Sequence, residues 1–191
     1  MKEIFDPLRE RYEKDDFERE QVIIKCRKIN KLSKEIIYSI NRKDMDSAEN
    51  HSQEIKKKVK DLVSADTRHY FQGAFRVAIQ EYVEALAYLV FVKEGRLFSF
   101  EEAEIPDICY EYYLLGVCDL SGELVRKSLG SGIDSDFDDI KKTRDFITNL
   151  YDELLKFDFR NGEIRKKFDS LRWDLQKIED MVFNLKLKDK I

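Results

Sequence analysis

Apolar positions along the chain recur at intervals of three and four rather than two, the spacing that lays side chains along one face of an α-helix. Val22, Cys26, Ile29, Ile36 and Ile40 form such a stripe, and nothing breaks the pattern between Asp6-Pro7 and about Arg42. Asp followed by Pro suits an N-cap and first helical position, which predicts a first helix from there to about Arg42. Lys43 to Asp46 interrupts the pattern. A polar second helix is predicted from about Met45 to Ala65, and a third from about Thr67 to Lys93, ending near Gly95. Ser99 and Glu102 have capping-box spacing and open a short turn that Pro106 closes.

A fourth helix is predicted from Asp107 to Leu129, stopped by Gly130-Ser131-Gly132. It contains Gly116 and Gly122. A glycine inside a helix costs about 1 kcal/mol against alanine, so each marks a close helix approach or a bend. Ser135 and Asp138 resemble a capping box for a fifth helix reaching about Phe157, and Asn161-Gly162 separates it from the last. There Ile164, Phe168, Leu171, Leu175, Ile178, Val182 and Leu185 step by four and three, a seam for another helix or another subunit. The predicted class is all-α, with residues 1–191 forming one domain.

Composition narrows the class further. With 39% charged and 42% hydrophobic residues, the chain is too apolar for disorder and too charged for a membrane protein. No segment approaches the ~20 apolar residues of a membrane span, and the opening residues lack the apolar core of a signal peptide. Cys26, Cys109 and Cys118 are odd in number and include no CxxC pair, which fits a reducing cytoplasm. The net charge of −4 gives no whole-molecule prior for nucleic acid.

Local chemistry is more informative. Glu81 and Glu84 are three apart on a helix face shared with Val77, Tyr88 and Phe91. Asp119 and Glu123 are four apart, beside Tyr112, Leu115 and Gly116. Carboxylates within apolar stripes are costly to desolvate unless a cation, a donor or protonation compensates them. Two crossing helices with such pairs would offer oxygen donors suited to Mg²⁺ or Mn²⁺, and metal-assisted hydrolysis of a phosphodiester or nucleotide. Neither His51 nor His69 has zinc-like spacing. On spacing alone, pairing of these acids with lysines on a solvated face explains them equally well. Arg27, Lys31 and Lys34, extended by Tyr38 and Arg42, form a basic stripe that suits either a nucleic-acid backbone or a solvated face. The run from Lys56 to Lys60 reads as solvated. Phe157 and Phe159 beside Arg160 suit base stacking or, more simply, helix-end packing, and Trp173 and Cys118 read as packing residues.

Three segments carry a resemblance: Gln80-Glu81-Tyr82-Val83-Glu84-Ala85, Tyr113-Leu114-Leu115-Gly116-Val117 and Asp119-Leu120-Ser121-Gly122-Glu123-Leu124. They resemble the translin/Trax family, and within it the nuclease branch, Trax. Weaker similarity runs through Arg27 to Asn41 and Phe168 to Leu185 and extends the likeness from about Tyr12 to Lys186. The resemblance implies a bundle of about six to seven long helices. It also implies that Glu81, Glu84, Asp119 and Glu123 are the catalytic, metal-associated residues of an Mg²⁺-dependent endoribonuclease, with Mn²⁺ as the alternative ion. Translin itself does not keep this acidic set. Assembly into a hollow octamer with RNA inside is implied too, built from copies of this chain, a translin-like partner not being required. Arg27, Lys31, Lys34 and Arg42 would then line the interior, and the last-helix seam would be an assembly surface. Two other readings compete: a non-catalytic RNA- or DNA-binding scaffold, and an all-α nucleotide pyrophosphohydrolase, whose second acidic pair would be three residues apart rather than four.

Overall fold

The computed structural model of the chain describes residues 1–64 and 73–188. Among these, the three-and-four spacing becomes six α-helices: α1 (Lys2–Asn41), α2 (Met45–Val63), α3 (Gly73–Glu94), α4 (Tyr110–Ile133), α5 (Phe137–Leu155) and α6 (Glu163–Leu187). Two short 3₁₀ turns, Glu101–Ala103 and Asp107–Cys109, lie between α3 and α4. The expected end of the second helix at Ala65, the start of the third at Thr67, and His69 lie outside the described residues.

α3 is the central element, with α1 on one side and α4 on the other. Phe75, Ile79, Tyr82, Val83, Leu86 and Tyr88 are all buried, so this helix is apolar round most of its circumference, as a helix covered on two sides must be. α2 covers α1, while α5 and α6 pack on α4 and on each other. Polar bonds pin this order: the Tyr88 hydroxyl donates to Asn41 Oδ1 at 2.8 Å, and the Ser121 hydroxyl to Asp174 Oδ2 at 2.9 Å.

Gly116 explains how closely α3 and α4 approach. A Cβ placed there would lie 2.5 Å from the Gln80 carbonyl oxygen and 2.8 Å from Val83 Cβ, so only glycine fits. Gly122 has no such role, since a Cβ there would make ordinary contact, 3.7 Å from Asp174. The predicted capping box is present: Ser99 N donates to Glu102 Oε2 at 2.8 Å, and Glu102 N to Ser99 Oγ at 3.2 Å. Two further helix starts share one design, in which a left-handed residue precedes an Asp N-cap. Lys43 (φ 62°) precedes Asp44, which accepts from Ser47 N, and Ser135 (φ 62°) precedes Asp136, which accepts from Asp139 N. Lys43 and Asp134 join the two loops at 2.8 Å.

Several sequence expectations are corrected. α1 begins at Lys2 and carries Pro7 in its second turn, and its inward face starts only at Val22. α4 continues through Gly130-Ser131-Gly132 to Ile133, with Ile140 reaching to 3.6 Å from where a Gly132 Cβ would stand. The turn that ends α4 is at left-handed Ser135 instead, and the α5 cap is Asp136 rather than Ser135. The α6 seam is used inside the chain: Phe168, Leu171, Ile178 and Val182 are buried in the core that α4 and α5 help to form. It is therefore not a free assembly surface. Trp173, read as a packing residue, is 65% exposed on the outer side of α6.

Candidate active site

The close approach enforced at Gly116 sets the acidic pair of α3 against that of α4. Glu81, Glu84, Asp119 and Glu123 are each partly buried rather than on a solvated face. Glu81, Glu84 and Glu123 line a cleft of about 1170 Å³ between α1, α3 and α4, closed at one end by the α4–α5 loop. Asp119 stands beside them outside the cleft wall with both oxygens engaged. Lys167 of α6 lies 2.6 Å from Oδ1, and the Gln80 side-chain amide donates to Oδ2. Pairing with a basic side chain therefore fits Asp119 and, through Arg126, Glu123, and leaves Glu81 and Glu84 unexplained.

Electrostatics set this cluster apart. Burial is the main cause that pushes the Glu84 carboxyl up to about 8, followed by the charges of Asp119, Glu81 and Glu123. Burial also raises Glu81, opposed first by the Lys34 ammonium. Arg126 Nη2 approaches Glu123 Oε2 at 2.5 Å but without hydrogen-bond alignment, and that oxygen is buried with no hydrogen-bond donor. A carboxyl raised by burial and a buried oxygen without a hydrogen-bond donor fit a cation bound among these acids. The all-oxygen donor set suits a hard divalent ion. Among the described residues no three His, Cys, Asp or Glu side chains converge into a ready cage. Mg²⁺ often uses only one or two carboxylates and keeps several waters.

Of the basic stripe, Lys34 is the one cation that lines this cleft, together with Tyr38. Arg27, Lys31 and Arg42 are exposed and do not line it; Lys31 pairs with Glu35, and Arg42 folds over Tyr38, its Nη1 donating to the phenol oxygen at 2.8 Å. Sequence reading missed Lys167, Arg126 and the role of Gln80. Arg126 was accessible in principle, three residues beyond Glu123 on one helix face. Lys167 was not, because it lies 48 positions beyond Asp119 and only the packing of α6 on α4 unites them.

Comparison with known proteins now bears on this geometry. The profile described as Translin family matches residues 17–189, most of the chain. The chain belongs to the Translin family. An uncharacterised protein of Methanocaldococcus jannaschii is 30% identical over 183 residues, covering 92% of this chain and 82% of that protein. Rat translin-associated protein X is 29% identical over 157 residues; the match spans 66% of this chain but only 54% of the rat protein. The translin-associated protein X homolog of Schizosaccharomyces pombe is 23% identical, over 99% of this chain and 90% of that protein. Among solved structures, apo-NeC3PO matches with a TM-score of 0.84 and 30% identity, covering 94% of this chain and 95% of that one. AfC3PO, solved in complex with duplex RNA, shares the fold at a TM-score of 0.83 and 23% identity, over 96% and 97% of the two chains. The all-α bundle is thus the fold that these solved structures share. Among the described residues, no helix is long and apolar enough to cross a membrane.

Proposed function

We propose that this Translin-family chain is a subunit of an RNA-binding oligomer that hydrolyses RNA phosphodiesters with a divalent cation, Mg²⁺ or Mn²⁺. The observation that carries this reading is the convergence of the partly buried carboxylates of α3 and α4 at one cleft, with Glu123 Oε2 buried without a hydrogen-bond donor. Relatives named translin-associated protein X, and the likeness to AfC3PO solved with duplex RNA, support RNA as the substrate class. They also support assembly of several subunits, for which a hollow octamer remains our working stoichiometry.

Of Glu81, Glu84 and Glu123, which face the cleft, one or two would hold the cation. When bound, it supplies an acidified water and neutralises charge developing on the phosphoryl oxygen. Lys167 and Gln80 fix Asp119 as a charge beside the cluster, so that it orients and repels its neighbours without facing the cleft. Whichever cleft carboxylate stays free accepts the proton of the attacking water. Lys34 and Arg126 flank the carboxylates on the cleft wall and contact the substrate phosphates.

The test is cleavage of labelled short RNA by wild type and Glu123→Ala, with Mg²⁺ or EDTA. Cleavage should require the cation and fall at least ~100-fold in the variant, while RNA binding persists. Binding with no cleavage in wild type would leave a scaffold. Hydrolysis of nucleoside triphosphates without RNA cleavage would make the chain a pyrophosphohydrolase.

A further inference from the structure

A second cavity, of about 880 Å³, opens where the N-terminal turns of α3, α4 and α6 meet the loop between α5 and α6. That loop carries Phe157 and Phe159, the residues whose sequence context suited either base stacking or helix-end packing. The structure divides the two roles between them. Phe159 is the packing residue, tilted against buried Phe168 at a centroid distance of 5.7 Å, and Phe168 in turn stacks on Tyr151 at 5.1 Å. Phe157 lies parallel to Phe159 at 5.2 Å with 5° between the planes, yet remains 51% exposed. A four-ring aromatic ladder therefore runs outward from the core, and its last rung opens on the cavity.

Such a rung is a stiff, flat platform that loses little freedom when another ring lies on it. Charge on the cavity wall indicates what kind of ring. Arg76 is engaged with Glu163, and the lining holds one further cation, Arg160, beside two further acids, Glu111 and Asp158. There is no positive excess to hold a phosphate. Asn161, Arg160 and the carboxylates instead offer donors and acceptors at the edge of a neutral heterocycle.

Position supplies the second argument. Arg76, Leu115 and Glu163 of the cavity each precede by four residues Gln80, Asp119 and Lys167, which are bonded to one another beside the carboxylates. Four residues of helix rise about 6 Å, so the cavity lies one helical turn from the catalytic cluster on the same three helices. We propose that this cavity binds one unpaired nucleobase of the RNA, stacked on Phe157 and next to the phosphodiester held at the carboxylates. The inference rests on RNA being the substrate, and it adds a selectivity for single-stranded or frayed RNA over blunt duplex.

Binding is measured in EDTA, so that cleavage plays no part, with short single-stranded RNA containing 2-aminopurine and with a blunt duplex of the same sequence. Wild type and Phe157→Tyr should quench the fluorescent base. Phe157→Ala should abolish the quenching and weaken single-strand binding roughly 5- to 150-fold, the range for loss of one stacked base. It should leave duplex affinity and the salt dependence of binding unchanged. Equal binding by wild type and Phe157→Ala, or an equal loss for both RNAs, overturns the proposal. So does a change in molecular mass by light scattering in Phe157→Ala, which would make the cavity a contact between subunits. RNA that stacks but is never cut with Mg²⁺ sinks the nuclease reading alone, and RNA that is cut without stacking sinks this one.

Discussion

Among the carboxyls of the described residues, burial raises Glu84 furthest. Its carboxyl is raised from 4.5 to about 8, first by burial and then by Asp119, Glu81 and Glu123. The folded chain therefore binds more protons than the unfolded chain between those two values, and cation-free stability falls as pH rises through that window, levelling above about 8. Glu81 is raised as well and acts in the same direction. Denaturant titrations in EDTA should show Glu84→Gln matching wild type near pH 5 and exceeding it by a few kcal/mol near pH 9. Wild-type stability that is flat from pH 5 to 9 would mean that neither burial nor repulsion penalises the charged form of Glu84. The acids themselves were legible in sequence, because carboxylates three and four apart within apolar stripes are anomalous wherever they occur. Their partners were not: Lys167 and Gln80 meet Asp119 only through packing between helices distant in sequence.

At the scale of the helices, Gly116 decides whether two acidic pairs become one cluster. A methyl group there would meet the Gln80 carbonyl oxygen and Val83, and neither is the flexible end of a side chain. Gly116→Ala should cost about 1–3 kcal/mol as overpacking, partly offset by better helix propensity, and should reduce cleavage by parting α3 from α4. Gly122→Ala, with only ordinary contact at 3.7 Å, should be neutral or stabilising by up to about 1 kcal/mol. Urea unfolding of both variants checks the contrast. The sequence marked both glycines with the same cost and left their purposes undivided, since closeness to another helix is a tertiary fact. The stop of α4 was misplaced for a related reason. Glycine lowers propensity without forbidding a helix, and left-handed Ser135 with its neighbour Asp136 outweighs Gly130 and Gly132 as the boundary.

For the whole molecule, the three-and-four periodicity sufficed to predict an all-α bundle, and each long helix lies near its expected span. Which faces remain open was less visible. The α6 seam suited another helix or another subunit, and it is core between helices of the chain. The basic stripe looked continuous, yet of its cations Lys34 alone lines the cleft. In metal-free RNA binding, Lys34→Ala should weaken affinity and lower the slope of log affinity against log salt by about one. Lys31→Ala, which removes a charge already paired with Glu35 outside the cleft, should change neither. Equal effects from the two would place the RNA along the outer stripe rather than in the cleft.

The outward-facing indole of Trp173 has a spectroscopic consequence. It is the one tryptophan in the sequence, and it is 65% exposed in the folded chain. Emission excited selectively at that ring already resembles indole in water, so unfolding shifts it little and makes it a poor gauge of stability. The same property makes it a clean gauge of contact. A blue shift on raising protein concentration or adding RNA has one source, the covering of the outer side of α6.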